Sequence, residues 1–137
     1  MLRILTGILW ALLLFVFTCA ISFHRLVYDF ELFFVLQPNP DWMDFFKLQD
    51  FDVSDSEWIL RKLGHMAGFF ILALLLGNLG RNRWGVYAAI LYALATEVMQ
   101  LFFYRGGRLY DVLIDTAGIL LAIWLSRRWS GRVTARS

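Results

Sequence analysis

The chain contains one cysteine among its 137 residues, and this scarcity excludes two kinds of structure. Cys19 alone can form neither an intrachain disulfide nor a thiolate metal cluster. The formal net charge is also small, +2, and nothing in the sequence indicates a nucleic-acid partner. Hydrophobic residues, in contrast, make up 60% of the chain and aromatic residues 18%, which is too apolar for an ordinary soluble domain of this length. The sequence therefore predicts a small integral membrane protein.

Four apolar segments are about as long as the helix that crosses roughly 30 Å of hydrocarbon. They are residues 4–23, 58–79, 84–104 and 109–126. The first is also compatible with a cleavable signal peptide, but three further apolar segments in so short a chain favour a retained span. We therefore predict an all-α polytopic membrane protein, a single domain over residues 1–137 with four transmembrane helices.

The segment between the first two spans, residues 24–57, is the longest polar region. Residues 24–55 hold seven of the eleven acidic side chains, Asp29, Glu31, Asp41, Asp44, Asp50, Asp52 and Asp55. Within it, Asn39-Pro40 predicts the start of a short helix with Asn39 as N-cap. That helix is expected either at the membrane interface or packed on the rest of the protein.

The distribution of arginine predicts the orientation. Arg3, the Arg81/Arg83 turn and the basic tail at residues 127–137 lie on one side of a four-span protein, and the acidic loop lies on the other. The positive-inside rule then places both termini in the cytoplasm and the 24–57 loop outside.

Ionisable residues are dense near the ends of the last three spans, although each charge at membrane depth costs about 2.5 to 3.5 kcal/mol. Spans that alternate in direction bring these residues to one depth near the outer leaflet. Spacings of three and four residues also place them on single helix faces. The polar residues of this layer are Lys62, His65, Glu97, Gln100, Arg105, Arg108, Asp111 and Asp115.

This layer allows several kinds of chemistry. Lys62, Arg105 and Arg108 suit an anion such as a phosphate or a carboxylate, and His65 with Glu97 suits a general acid/base pair. Four of the residues, His65, Glu97, Asp111 and Asp115, are metal-ligand types, but no compact ligand motif supports a metal. We therefore predict no metal or other cofactor. A purely structural network, with Lys62 paired to Glu97 or Arg108 to Asp115, is the remaining alternative.

Three motifs in this region resemble the VanZ-like family of small bacterial membrane proteins. They are Lys62-Leu-Gly-His65, Glu97-Val-Met-Gln100, and Arg108-Leu-Tyr-Asp111-Val-Leu-Ile-Asp115-Thr-Ala-Gly118, which look like the family patterns K-x-x-H, E-x-x-Q and R-x-x-D-x-x-x-[ND]-x-x-G. The resemblance covers residues 62–125, about half of the chain. Asp115 stands where asparagine is common, which adds a negative charge.

The resemblance implies a protein of the bacterial plasma membrane linked with resistance to teicoplanin-type glycopeptide antibiotics. Our leading hypothesis is that the polar layer binds an anionic envelope lipid or a lipid-linked cell-wall precursor. Lys62 and Arg108 would hold the anion, His65 and Glu97 would orient it or exchange protons, and Asp111 and Asp115 would position the cations. A membrane hydrolase or transferase using His65 and Glu97 is one alternative, and a structural partner without a ligand is another. Membrane lipids and the antibiotic are the expected partners, and the sequence indicates no oligomeric state.

Overall fold

A computed structural model of the chain describes residues 2–20, 34–48 and 54–134, together with the side chains of all of these except residues 57 and 130–134. Every regular element in these residues is a helix. The helices are α1 (Leu2–Cys19), α2 (Trp42–Phe45), α3 (Ser56–Leu76), α4 (Arg83–Phe102) and α5 (Leu109–Thr134). The end of the first predicted span and four of the predicted loop acids, Asp29, Glu31, Asp50 and Asp52, lie outside the described residues.

The four long helices, α1, α3, α4 and α5, are each long and apolar enough to cross a membrane. Their bounds lie within a few residues of the predicted spans, except at the end of α5. There the helix continues to Thr134, whereas we predicted that the span would end at residue 126. Arginine is a good helix former, no proline interrupts the segment, and the Arg128 guanidinium lies 4.4 Å from the Trp124 ring centroid one turn earlier. The helix therefore has no local reason to stop.

Helix α3 lies at the centre of the bundle and contacts α1, α4 and α5. A core of small and large apolar side chains fills the space between them, comprising Leu14, Phe69, Leu72, Ala73, Ala89, Ala93, Ile119 and Ala122. The face of α4 that carries Ala89, Ala93 and Glu97 is fully buried. Large apolar side chains such as Leu91 and Leu113 are exposed on the outside of the bundle, which suits contact with lipid tails.

Helices α3 and α5 approach closely because Gly118 has no side chain. A Cβ atom at this position would collide with the carbonyl oxygen of Met66 on α3. On the other side of α3, the indole Nε1 of Trp10 donates a hydrogen bond to the Gly68 carbonyl oxygen at 2.9 Å. These contacts fix α3 between its neighbours, and they therefore fix the faces that its polar residues present.

The short helix α2 packs on the end of the bundle rather than standing apart from it. Phe45 is buried against Leu101 and Val112, and the Trp42 and Phe102 rings meet edge to face at 5.9 Å. The prediction of Asn39 as N-cap was wrong. Asp41 caps the helix by accepting a hydrogen bond from the Met43 amide at 2.9 Å, since the first helical residue is Trp42.

Candidate functional site

The turn between α4 and α5, residues 103–108, brings the chain back over the end of α4. Two of its residues, Tyr104 and Gly106, have positive φ angles of 54° and 63°. Gly107 is required for a different reason, because a Cβ atom there would collide with the Glu97 carbonyl oxygen. This close approach allows the Arg108 amide to donate a hydrogen bond to Glu97 Oε2 at 3.0 Å. The turn therefore carries a backbone donor into the polar layer.

One ion pair joins α3 to α5 in this layer. Lys62 Nζ lies 2.5 Å from Asp111 Oδ2, and the two side chains are 15% and 6% exposed. Two aromatic rings flank the ammonium group, with centroids 5.4 Å away for Trp58 and 5.0 Å for Tyr110. This arrangement replaces the pairs that we predicted for the structural alternative, Lys62 with Glu97 and Arg108 with Asp115. The charge of Lys62 is thus balanced within the protein.

Three further polar residues, one from each of α3, α4 and α5, meet below this ion pair. His65 Nδ1 lies 3.6 Å from Glu97 Oε1 and 3.7 Å from Asp115 Oδ2. The side chains of Glu97 and Asp115 are fully buried. Both distances slightly exceed that of a hydrogen bond, and the imidazole nitrogen lies within ion-pair distance of both carboxylates. We call His65, Glu97 and Asp115 the buried triad.

Glu97 is the best-supported member of the buried triad. In addition to the Arg108 amide, the Gln100 side-chain amide donates to Glu97 Oε1 at 2.8 Å. The 97/100 spacing of the sequence motif therefore has a physical basis, because residues three apart on a helix lie on the same face. Gln100 orients the carboxylate, and both residues are buried.

A pocket of about 150 Å³ opens above the buried triad. Its lining includes six of the eight predicted site residues, whereas Glu97 and Asp115 lie beneath it. Ten residues line the pocket: Trp58, Arg61, Lys62, His65, Gln100, Arg105, Gly106, Arg108, Tyr110 and Asp111. Four of these side chains are basic and one is acidic, so the lining carries an excess of positive charge.

The two arginines of the α4–α5 turn are anchored to backbone carbonyls. Arg105 Nε donates to the Thr18 carbonyl at the end of α1, at 3.3 Å, and Arg108 donates to the Asp44 carbonyl of α2 at 2.6 Å. Burial, and secondly the nearby charge of Arg61, lower the pKa of the Arg105 guanidinium. Two positive charges are thus held near each other at the pocket, an arrangement that an anion would stabilise.

The sequence analysis missed four of the lining residues, Trp58, Arg61, Gly106 and Tyr110. The sequence contained a signal for Trp58 and Arg61. They lie seven and four residues before His65, on the same helix face as Lys62 and His65. Tyr110 could be placed only once the rotation of α5 about its axis was known.

Comparison with known proteins gives a consistent assignment. A family described as VanZ/LLP1 matches residues 4–130, which extends the predicted resemblance into the first span and the loop. An uncharacterized membrane protein, YwnJ of Bacillus subtilis (strain 168), is 35% identical over 111 residues, covering 80% of this chain and 79% of YwnJ. No solved structure matches.

Proposed function

This chain belongs to the VanZ/LLP1 family of multi-pass membrane proteins, and from that premise we propose that its polar pocket binds the anionic head group of an envelope lipid. The observation that supports this proposal most directly is the charge of the pocket lining. Arg61, Arg105 and Arg108 surround a cavity of about 150 Å³, and the one lining carboxylate, Asp111, is already paired with Lys62. A phosphate or carboxylate group would be attracted to this excess of basic side chains.

The chemistry of arginine narrows the class of ligand. Its planar guanidinium forms two parallel hydrogen bonds to phosphate or carboxylate oxygens. A volume of about 150 Å³ is several times the roughly 30 Å³ that a water molecule occupies in the liquid, so a phosphate group fits and a whole lipid does not. We therefore infer that the pocket takes the phosphate of a phospholipid or polyprenyl phosphate, while the tails lie along the exposed apolar faces of the bundle.

Mass spectrometry of lipids that remain bound to the purified protein tests this proposal. The double variant Arg61→Gln/Arg105→Gln should retain at least tenfold less anionic lipid than the wild type, because two of the lining charges are removed. The matched control is Arg81→Gln/Arg83→Gln, which removes two exposed arginines from the α3–α4 turn. Equal retention by the two double variants would overturn the proposal.

The proposal includes an orientation, with the pocket on the outer side of the membrane and both termini in the cytoplasm. Cysteine labelling in intact cells tests it in a Cys19→Ala background. Lys47→Cys, next to the pocket end of the bundle, should react with an impermeant maleimide. Arg81→Cys, in the turn at the opposite end, should react only after the membrane is permeabilised. The reverse pattern would place the pocket in the cytoplasm and remove lipid-linked precursors outside the membrane as ligands.

A second candidate function, hydrolysis or group transfer on the bound lipid, is supported by the position of His65 between two carboxylates. A general base next to a phosphate site is the arrangement that such chemistry needs. Purified protein in nanodiscs containing polyprenyl phosphates and phosphatidylglycerol should then form a product, and Glu97→Gln should abolish its formation while lipid retention persists. Retention without product favours binding alone.

Resistance to teicoplanin-type antibiotics is the cellular role that we propose for lipid binding. Cells that carry Arg61→Gln/Arg105→Gln should become as sensitive to teicoplanin as cells lacking the gene, at unchanged protein abundance. Cells with the Arg81→Gln/Arg83→Gln control should keep the sensitivity of the wild type. If sensitivity follows only protein abundance, the structural alternative replaces the lipid-binding proposal.

A further inference from the structure

The buried triad offers three different ligand atoms from three different helices. One atom each from His65, Glu97 and Asp115 lie within 4.8 Å of one another. Donor atoms around one four-coordinate ion, with bond lengths of about 2.0 to 2.2 Å, are separated by roughly 3.3 to 3.6 Å. The distances from His65 Nδ1 to Glu97 Oε1 and to Asp115 Oδ2, 3.6 and 3.7 Å, are only slightly longer than this donor separation. Side-chain rotations that also shorten the separation between the Glu97 and Asp115 oxygens, which is at most 4.8 Å, would bring all three atoms onto one ion.

The donor atoms of the buried triad are poorly satisfied by the protein. Within the described part of the chain, His65 Nδ1 and both Asp115 carboxylate oxygens are buried and have no hydrogen-bond partner. The nearby lysine does not supply one, because Lys62 pairs with Asp111. A buried carboxylate that accepts no hydrogen bond is unfavourable, even with the His65 imidazole 3.7 Å away. Some group absent from the polypeptide is therefore expected to complete this site.

The charges of the triad specify the sign and size of that group. When ionised, Glu97 and Asp115 carry two negative charges, and a protonated His65 balances one of them. A divalent cation balances both and leaves the imidazole neutral, which is the form that binds metals. An anion such as the proposed lipid phosphate would instead add to the excess negative charge at this depth. The triad and the pocket above it thus suit different ligands.

The surroundings of Glu97 also resemble those of metal ligands. Carboxylates that bind metals are usually held by hydrogen bonds from a second group of residues, which fix their orientation. Gln100 and the Arg108 amide hold the Glu97 oxygens in this way, at 2.8 and 3.0 Å. Both donors leave lone pairs of the carboxylate available for an ion.

From these observations we propose that His65, Glu97 and Asp115 form a binding site for a divalent transition metal, with Zn²⁺ as the best fit. One imidazole nitrogen and two carboxylate oxygens favour Zn²⁺ over Mg²⁺ or Ca²⁺, which prefer oxygen ligands alone. Three protein ligands leave a fourth position for water. An entry path also exists, since His65 lines the pocket above. The proposal does not depend on which lipid the pocket binds.

Metal analysis of the purified protein tests the site, with no activity assay needed. The protein is purified without a polyhistidine tag, loaded with Zn²⁺ alone and dialysed, and its zinc content is measured by inductively coupled plasma mass spectrometry. We expect about one Zn²⁺ per chain in the wild type and at least a tenfold lower affinity in Asp115→Asn. Asp111→Asn is the matched control, because it changes a carboxylate of the same layer that faces Lys62 instead of the triad. It should keep its zinc.

Three results would overturn the proposal: no zinc above background in the wild type, equal affinity in the wild type and Asp115→Asn, or equal losses in Asp115→Asn and Asp111→Asn. If Asp115→Asn does not fold, the wild type decides the question with Co²⁺ as the probe. A visible spectrum of low-coordinate cobalt with nitrogen and oxygen ligands supports the site, and the spectrum of hydrated Co²⁺ alone excludes it. The Arg61→Gln/Arg105→Gln variant should bind Zn²⁺ normally, which separates this site from the lipid pocket.

Discussion

The two tight turns of the helical bundle contain similar residues but have different surroundings. The α3–α4 turn, residues 77–82, and the α4–α5 turn, residues 103–108, each contain glycine, a positive φ angle at a glycine and arginine in or directly after them. Arg81 and Arg83 are exposed, whereas Arg105 and Arg108 are half-buried and donate to backbone carbonyls. Among the described residues beneath the α3–α4 turn, one polar side chain is buried, that of Ser126. Its hydroxyl donates a hydrogen bond to the Ala122 carbonyl of its own helix.

An arginine–glycine turn therefore does not by itself indicate a functional site. Beneath the α4–α5 turn, in contrast, α3, α4 and α5 each contribute ionisable side chains, some of which pair across helices, as Lys62 does with Asp111, and some of which keep buried atoms without a hydrogen bond, as Asp115 does. Such groups raise the free energy of the folded protein unless a partner compensates them. We therefore interpret the polar end of the bundle as functional and the opposite end as a simple connection.

The largest expected effect is a difference in the free energy of unfolding between variants at the two ends of the bundle. Lys62→Met should lower the free energy of unfolding by about 3 to 5 kcal/mol, because Asp111 is left buried without its partner. Arg81→Met, at an exposed position of the other turn, should change it by less than about 0.5 kcal/mol. Unfolding by SDS in mixed micelles, followed by circular dichroism, measures both. Lys62→Met/Asp111→Leu should recover much of the loss, and failure to recover would show that the ion pair is not its cause.

Glycine substitutions sharpen the comparison of the turns themselves. Gly107→Ala should destabilise the protein by about 3 kcal/mol, because its Cβ meets the Glu97 carbonyl oxygen in a packed interior. Gly80→Ala and Gly106→Ala have room for a Cβ and should cost only about 1 kcal/mol each, for their positive φ angles. The same unfolding measurement applies. Equal effects at all three positions would contradict the close approach at Gly107.

A smaller effect on the free energy of unfolding is expected when a single side-chain hydrogen bond is removed at either end of the bundle. Gln100→Leu removes a donor to a buried carboxylate and should cost about 2 kcal/mol. Ser126→Ala removes a hydroxyl that bonds only within its own helix and should cost less than about 1 kcal/mol. Both variants are compared with the wild type in the same detergent. A larger loss for Ser126→Ala would reverse our view of which end has the more demanding polar structure.

The smallest effect concerns an ion pair on α2, outside the membrane-spanning helices. A hydrogen bond from Lys47 lowers the pKa of the Asp44 carboxyl below its ordinary value of 3.8. Since the pKa is lower in the folded state, the associated stability is present above pH 4 and is lost as the pH falls through the folded pKa. The effect on stability should be slight because the pair is exposed. NMR titration of the carboxyl carbon should show the lowered pKa, and Lys47→Met should return it to about the ordinary value.

The sequence predicted the helices and the depth of their polar residues better than it predicted which side chains contact one another. The lengths of the apolar segments predicted four spans, and helical spacing placed the eight polar residues near one another. The structural alternative pairs Lys62 with Glu97, whereas in the structure Lys62 pairs with Asp111. The N-cap of α2 was wrong by two residues, since Asn39 and Asp41 are both good caps and the packing of Phe45 decides between them. The end of α5 could not be predicted from the sequence, because the arginines in this segment are compatible with a continued helix as well as with exposure to solvent.

By itself the sequence determined that this is a four-span membrane protein of the VanZ type with a polar layer at one end, because hydrophobic length and residue depth are properties of each helix alone. The tertiary structure decided which polar groups meet. A rotation of one helix about its axis changes every contact across the bundle while leaving the hydrophobic pattern intact. Close packing, as at Gly107 and Gly118, fixes those rotations, and it thereby places His65 between Glu97 and Asp115.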